Sequence, residues 1–372
     1  MINPKKLYLE INKYSKFICG VPDSLLKDLN SCILHLHPKD RHIIAPNEGV
    51  CIGLAIGNYI ATSKTPTIYM QNSGIGNAVN PLISLADQNV YGIPMVVVIG
   101  WRGEPGVKDE PQHYKQGLIQ EDLLRALDLE YFVIDSGTVN YPEILKAAYS
   151  SSDKDKSPKV VLVKKDTFSP YSSTCGQIDD CLDSRETAIA ALLDAFAENA
   201  CIVATTGKTS RELFELRSFR RENHDRDFLT VGGMGHASSI AAGLSMNTSE
   251  RIVCIDGDGA LLMHMGSLIS SAKYGSKNFI HIVLNNGVHE SVGGQPTLIN
   301  NVNVTELAKS CGYKNAISVK NFGELEEKVN EESLNNGPTF LEYIIKPGSR
   351  EGLGRPTTSP SENLGLFMKN FQ

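Results

Sequence analysis

The sequence predicts an α/β protein made of two doubly wound parallel-sheet domains. Three observations carry that prediction. Short β-branched apolar runs alternate with longer stretches of helical period, the pattern of a parallel sheet covered on both faces. A polar stretch from Ser169 to Asp183 (SPYSSTCGQIDDCLD) interrupts the alternation near the middle of the chain. The 372 residues suffice for two separate cores.

In chain order, the apolar run Phe17–Val21 is the first predicted strand, and a helix over Ser24–Leu36 follows it. His42–Ala45 is a second short strand, leading into a Gly/Ala-rich helix over Glu48–Ala61. Strand Thr67–Gln71 precedes a helix over Gly76–Gln88. Met95–Gly100 contains the densest apolar run of the chain, as a strand buried on both faces requires. Helix Ile119–Leu127, strand Tyr131–Ile134, helix Pro142–Ser150 and strand Val160–Val163 complete the first unit. After the polar stretch the pattern resumes with a helix over Arg185–Asn199 and strands at Cys201–Ala204, Phe228–Val231, Arg251–Ile255, Phe279–Leu284 and Thr339–Ile345. Helices are predicted near Ser210–Arg217, Ala237–Leu244, Leu261–Tyr274, Glu306–Cys311 and Glu324–Glu332. The boundaries expected are a domain over 1–168, a linker over 169–184 and a domain with a C-terminal tail over 185–372.

Lys plus Arg is 36 against 42 Asp plus Glu, a net charge of −6, so a polyanionic nucleic acid is not an expected partner. The eight cysteines show no C-x-x-C pair and read as reduced thiols packed as small hydrophobes. The N-terminal MINPKKLYLEINKYSK carries charges where a secretory core needs apolar residues, and Met95–Ile99 is far short of the roughly 20 residues that span a bilayer. Neither export nor a membrane anchor is expected, and a cytoplasmic location is.

Glycine turns after strands are where such sheets bind phosphates. Gly74-Ile75-Gly76, Gly233-Met234-Gly235 and Gly257-Asp258-Gly259 open like dinucleotide fingerprints, but Val79, Ser238 and Leu262 occupy the third glycine position. Thr206-Gly207-Lys208-Thr209 ends like a P-loop whose first glycine is Ile202. At Gly257 the carboxylate of Asp258 would repel a phosphate unless a divalent cation joins them. Mg²⁺ does this with oxygen ligands, and Asn285-Asn286 ends the next predicted strand at the same sheet edge.

G-D-G, 25 intervening residues and N-N resemble the signature of thiamine-diphosphate enzymes. That resemblance implies Mg²⁺ held by Asp258, the Asn286 side chain and the Val288 carbonyl, and diphosphate on amides near Gly257, Gly259 and Ala260, with Gly207 also at the cofactor. It makes the first unit the pyrimidine-binding domain and the second the diphosphate-binding domain. It further implies that Glu48 shares a proton with the aminopyrimidine, although a first-turn carboxylate also suits the helix dipole. The apolar residues around Glu48 would bury it and raise its pKa. Val231-Gly232-Gly233-Met234-Gly235 resembles the pyrimidine-gripping segment, with Gly232 supplying a carbonyl and Met234 either a prop for the cofactor or a core side chain. GVPDS at Gly20–Ser24 places Asp23 near the reacting carbon or at a helix cap.

The stretches Trp101–His113, Thr205–Glu212 and Asn285–Gln295 are similar to those of the phosphonopyruvate decarboxylase family, and the missing middle domain agrees. The resemblance implies decarboxylation of 3-phosphonopyruvate to phosphonoacetaldehyde and CO₂ within phosphonate biosynthesis. Sulfopyruvate decarboxylation is the alternative, as is a non-catalytic anion-binding α/β protein. A doubly anionic substrate calls for cations, for which Arg102, Lys108, His113, Lys115, Arg350 and Arg355 are candidates that also suit a solvated surface. His289 and Glu290, next to the metal loop, suit proton transfer to the carbon that loses CO₂. The Gly348–Pro360 tail reads as a lid or as a loose end. Because the cofactor must touch both domains across a short linker, self-association with sites between subunits is expected.

Overall fold

The computed structural model describes residues 1–171, 181–196, 200–329 and 335–371. Two compact units divide the chain, Met1–Cys175 with His289–Pro296, and Gly176–Val288 with Thr297–Gln372. Residues 172–180 of the expected linker, the end of the expected helix Arg185–Asn199 and part of the expected helix Glu324–Glu332 lie outside the described residues.

In the first unit, β1 (Ile18–Gly20), β2 (His42–Ile44), β3 (Thr67–Gln71), β4 (Met95–Gly100), β5 (Tyr131–Ile134) and β6 (Pro158–Val163) form one sheet in the order β2-β1-β3-β4-β6-β5. All pairs are parallel. Strands β4 and β6 are buried at every position, which explains their uninterrupted Met-Val-Val-Val-Ile-Gly and Pro-Lys-Val-Val-Leu-Val sequences.

The second unit contains β7 (Cys201–Ala204), β8 (Asp227–Leu229), β9 (Ile252–Gly257) and β10 (Phe279–Asn285). After β10 the chain forms a two-stranded ribbon, β11 (Val288–His289) with β12 (Gln295–Pro296), whose residues from His289 on group with the first unit, and the second unit continues with β13 (Asn315–Val319) and β14 (Thr339–Ile344). Its six-stranded sheet runs β13-β14-β10-β9-β7-β8, again parallel. Numbered within each unit, the two strand orders are the same. Along β10, Ile280, Ile282 and Leu284 join one apolar cluster and Phe279 and Val283 the other, the period of two expected of a strand packed on both faces.

Parallel strands put all their carboxyl ends at one edge. The order reverses direction between β1 and β3, and between β7 and β9, and the crevice outside the carboxyl ends at such a point is where open α/β sheets bind ligands. Among the described residues no helix is long and apolar enough to cross a membrane.

Several elements differ from expectation. An unanticipated helix, Pro4–Tyr14, opens the chain, with Asn3 Oδ1 accepting from Lys6 N and proline in its first turn. The helix expected over Gly76–Gln88 runs Ile75–Pro81 and then widens at Leu82–Ala86, where Pro81 removes an amide from the ladder. The helix expected over Leu261–Tyr274 is two, Asp258–Met263 and Ser267–Tyr274, broken where His264 leaves helical backbone angles. Strand β13, an edge strand paired only with β14, was not anticipated because Asn315 and Ser318 interrupt its apolar residues. Helices Pro111–Leu118 and Pro360–Met368 are also additional, the latter set by a capping box between Ser359 and Glu362.

Candidate active site

In the second unit, β9 ends at Gly257, which stands beside Leu284 of β10, so Asp258 and Asn285-Asn286 leave neighbouring strand ends. The Asp258 carboxylate is 4% exposed, and its Oδ2 accepts from Thr297 Oγ1 at 2.7 Å. Burial pushes its pKa up to about 6, against the pull of Thr297 and nearby main-chain amides. Asn285 Nδ2 donates to Glu342 Oε1 at 2.8 Å, which anchors the loop to β14. Asn286 Oδ1 accepts from Val288 N at 3.1 Å, and Gly287 O accepts from Thr297 N at 2.8 Å. Gly287 has φ +70°, and a Cβ there would come within 3.1 Å of the Asn300 amide.

The other cofactor candidates of this unit lie on loops that follow β7 and β8. Gly207, at φ 93° and ψ −134°, precedes helix Lys208–Arg220 in a conformation that L side chains rarely adopt. Thr206 Oγ1 donates to Val231 O at 2.8 Å, tying the Gly207 loop to the segment that carries Gly232 and Met234. Gly235 closes that segment against the Asp258 helix, since a Cβ there would lie 2.9 Å from Ala260 O and 2.5 Å from His264 Nδ1. Gly257, by contrast, has nothing within 4 Å of the position a Cβ would take. A buried carboxylate, an amide oxygen and main-chain carbonyls are the donor set of a hard divalent cation, and glycines leave its surroundings open. The residues of this unit therefore fit Mg²⁺ and a diphosphate.

In the first unit Glu48 is the first residue of helix Glu48–Thr62, whose preceding Asn47 side chain accepts from Gly49 N at 2.8 Å. Its carboxylate is 4% exposed and accepts from Asn77 Nδ2 at 2.8 Å. It presses against Gly74, where a Cβ would fall 2.3 Å from Glu48 Oε1. Burial raises the Glu48 pKa, and the Asn77 hydrogen bond opposes the rise. Asp23, after β1, is fully buried and pushed up to about 6, chiefly by desolvation and against the pull of Arg102.

Of the candidate cations, Arg102 is half-buried and held bidentate by Asp109, while its Nη1 donates to Ser24 Oγ at 2.6 Å. His113 is buried, and desolvation together with Arg102 lowers its pKa to about 4, so it is neutral at pH 7. Lys108, Lys115 and Arg355 are exposed, and Arg350 pairs with Glu186 and Glu215. His289 and Glu290 lie at and just after β11, with burial pulling His289 down to about 4. The C-terminal tail is tethered: Lys208 Nζ donates to Ser349 Oγ at 2.8 Å and Gly354 N to Glu215 Oε1 at 2.7 Å. Helix Pro360–Met368 then docks on β8 through Asn363, which accepts from Leu229 N and donates to Asp227 O.

Gly74, Asn77, Thr297 and Asp109 were not singled out in the sequence as partners of these groups. Gly74 alone left a trace there, as a glycine directly after a strand end.

Residues 11–125 match the N-terminal TPP binding domain of thiamine pyrophosphate enzymes, and residues 205–343 match their C-terminal TPP binding domain. Fold and matches together define a thiamine-diphosphate enzyme. The chain is 36% identical over 366 residues to phosphonopyruvate decarboxylase of Streptomyces viridochromogenes, covering 94% of this chain and 90% of that protein. It is 33% identical to phosphonopyruvate decarboxylase of Streptomyces hygroscopicus, covering 94% and 89%. Sulfopyruvate decarboxylase of Methanosarcina acetivorans is 25% identical, with coverage of 100% and 98%. The chain belongs to the phosphonopyruvate decarboxylase family of thiamine-diphosphate-dependent carboxy-lyases.

Proposed function

We propose that the protein decarboxylates 3-phosphonopyruvate to phosphonoacetaldehyde and CO₂, with thiamine diphosphate and Mg²⁺, as a step of phosphonate biosynthesis. The observation that carries the catalytic part is the buried Glu48 carboxylate, held by Asn77 in a slot that only the glycine at position 74 leaves open. A carboxyl group with a raised pKa is suited to holding and exchanging a proton with a ring nitrogen. Asp258, the Asn286 side chain and the Val288 carbonyl would hold the metal, and amides of Gly257, Gly259 and Ala260 and the Gly207 loop would meet the diphosphate. The Gly232 carbonyl would accept a hydrogen bond from the ring amine, and Met234, half-buried two residues on, would support the cofactor. Thiamine diphosphate, when bound, supplies the electron sink that lets CO₂ leave. Asp23, His113, His289 and Glu290 are the groups assigned to proton movement near the substrate, with His113 and His289 neutral at pH 7 and so able to accept.

The 36% identical relative favours phosphonopyruvate over sulfopyruvate as substrate. Aldehyde formation from phosphonopyruvate, sulfopyruvate and pyruvate, assayed side by side, tests this. We expect phosphonopyruvate to be preferred by at least about tenfold in kcat/KM, a difference of about 1.4 kcal/mol in transition-state binding. Equal rates on all three would refute the substrate assignment.

We also infer self-association, with Glu48 of one copy serving the cofactor held by Asp258 of another. Val50 and Leu54 on helix Glu48–Thr62 and Ile83 and Leu85 on the adjoining turn are 37–45% exposed, an apolar face of the kind that subunits cover. Sedimentation of the active enzyme should give a dimer or larger assembly, and an active monomer would contradict it.

A further inference from the structure

Asp23 sits at the carboxyl end of β1 in a closed position. Its Oδ1 has no hydrogen-bond partner, and its Oδ2 accepts from Leu25 N at 3.2 Å. The end of β4 closes over it, since a Cβ on Gly100 would fall 1.9 Å from Oδ2. A carboxylate in such a place needs a counter-charge to remain ionised. Arg102, two residues beyond the Gly100 that abuts Asp23 and with its Nη1 on the hydroxyl of Ser24, the next residue in the chain, is the charged group that pulls against that burial.

Arg102 is itself unusually well fixed. Asp109 takes its Nε and Nη2 together, and Ser24, the neighbour of Asp23, takes Nη1. Its main chain is clamped to the end of β3 by Asn72, which is fully buried: Asn72 Nδ2 donates to Arg102 O at 2.9 Å and Arg102 N donates to Asn72 Oδ1 at 3.2 Å. Asp109 is fastened in turn by the Gly103 and Glu110 amides, each at 2.8 Å. With its guanidinium committed in this way, Arg102 is poorly placed to reach out to an anionic substrate. A planar fork held on three nitrogens is a fixed charge.

We propose that Arg102, locked by Asp109, Ser24 and Asn72, is a positioning residue that supplies the Asp23 carboxylate with its counter-charge, rather than a phosphonate ligand. The proposal rests on the reading of Asp23 as a group that works on the substrate. The other titratable groups of this cluster act on Arg102: Asp109 and Glu110 face it, and His113 is held neutral partly by it. Without Arg102 the carboxyl would hold its proton to a higher pH, and activity that needs the carboxylate would be lost earlier as pH falls.

Two readouts test this. In protein labelled with ¹³C at aspartate carboxyls, with Asp23→Asn assigning the resonance, Arg102→Gln should move the Asp23 titration midpoint up by roughly one pH unit, as loss of a nearby opposite charge does. Arg102→Lys, which keeps the charge but not the fork, should give a smaller rise, and it serves alone if the glutamine variant does not fold. This arm needs no substrate, so it stands whether or not the decarboxylase reading does. In the pH profile of kcat/KM for phosphonopyruvate, the acid limb should move up with the same order, wild type lowest. An unmoved Asp23 midpoint in the variants overturns the proposal. So does a more than tenfold rise in KM with an unmoved acid limb, the signature of a direct phosphonate ligand.

Discussion

Glu48→Gln should lower kcat for decarboxylation by roughly 10²- to 10⁴-fold, the range lost when a positioned proton-transfer group is removed. Its affinity for thiamine diphosphate and Mg²⁺ should change only a few-fold. Glutamine has nearly the same shape and still meets Asn77 and the Gly74 slot, so the loss isolates proton exchange from packing. Steady-state kinetics with calorimetric cofactor titration separates the two quantities. Full activity in the variant would remove Glu48 from the role assigned to it. Gly74 belongs to the same prediction, because a methyl group there overlaps Glu48 Oε1 and must displace the carboxylate.

Asp258→Asn should have the other large effect, on binding. It removes the single charge of the proposed metal set from a 4%-exposed position, and apparent affinity for thiamine diphosphate in Mg²⁺ should fall by about 100-fold or more. Thr297→Val supplies the graded control. It leaves the carboxylate but takes away the 2.7 Å hydrogen bond that aims it, and a loss of roughly 10- to 100-fold is expected. Cofactor titration at fixed Mg²⁺ reads both, and unchanged affinity in the Asp258 variant would move the metal elsewhere.

How much of this was legible depended on whether a feature is local. Strands β3, β4, β5 and β7 have the predicted bounds: β4 and β7 lie inside their sheets and show their burial as apolar runs, and the edge strand β5, though half-exposed, is the unbroken run Tyr-Phe-Val-Ile. The edge strand β13 was missed because Asn315 and Ser318 interrupt its apolar residues. Asp258 and Asn286 were legible because a strand, a crossover and the next strand fix their spacing, and the register of β9 with β10 brings both to one edge. Apart from the family resemblance, Glu48 announced itself only as an acidic residue opening an apolar helix. The slot that makes it more than a helix-end charge comes from Gly74 and Asn77 on the next crossover, 26 and 29 residues away in sequence. In the sequence Arg102 is one of six candidate cations for the substrate and equally suits a solvated surface, because an arginine in a polar loop looks available. Its capture needed Asp109, Ser24 and Asn72 to converge from three segments, and no local pattern records that.

We propose that Glu48 exchanges the proton and that Asp258 and Asn286, of another copy of the chain, cradle metal and diphosphate. The most direct measurement is CO₂ and aldehyde release from phosphonopyruvate by the purified protein, with thiamine diphosphate and Mg²⁺ each supplied or withheld. Equal amounts of both products are expected, and only when cofactor and metal are present together. Turnover that persists after both are stripped away would contradict the proposal.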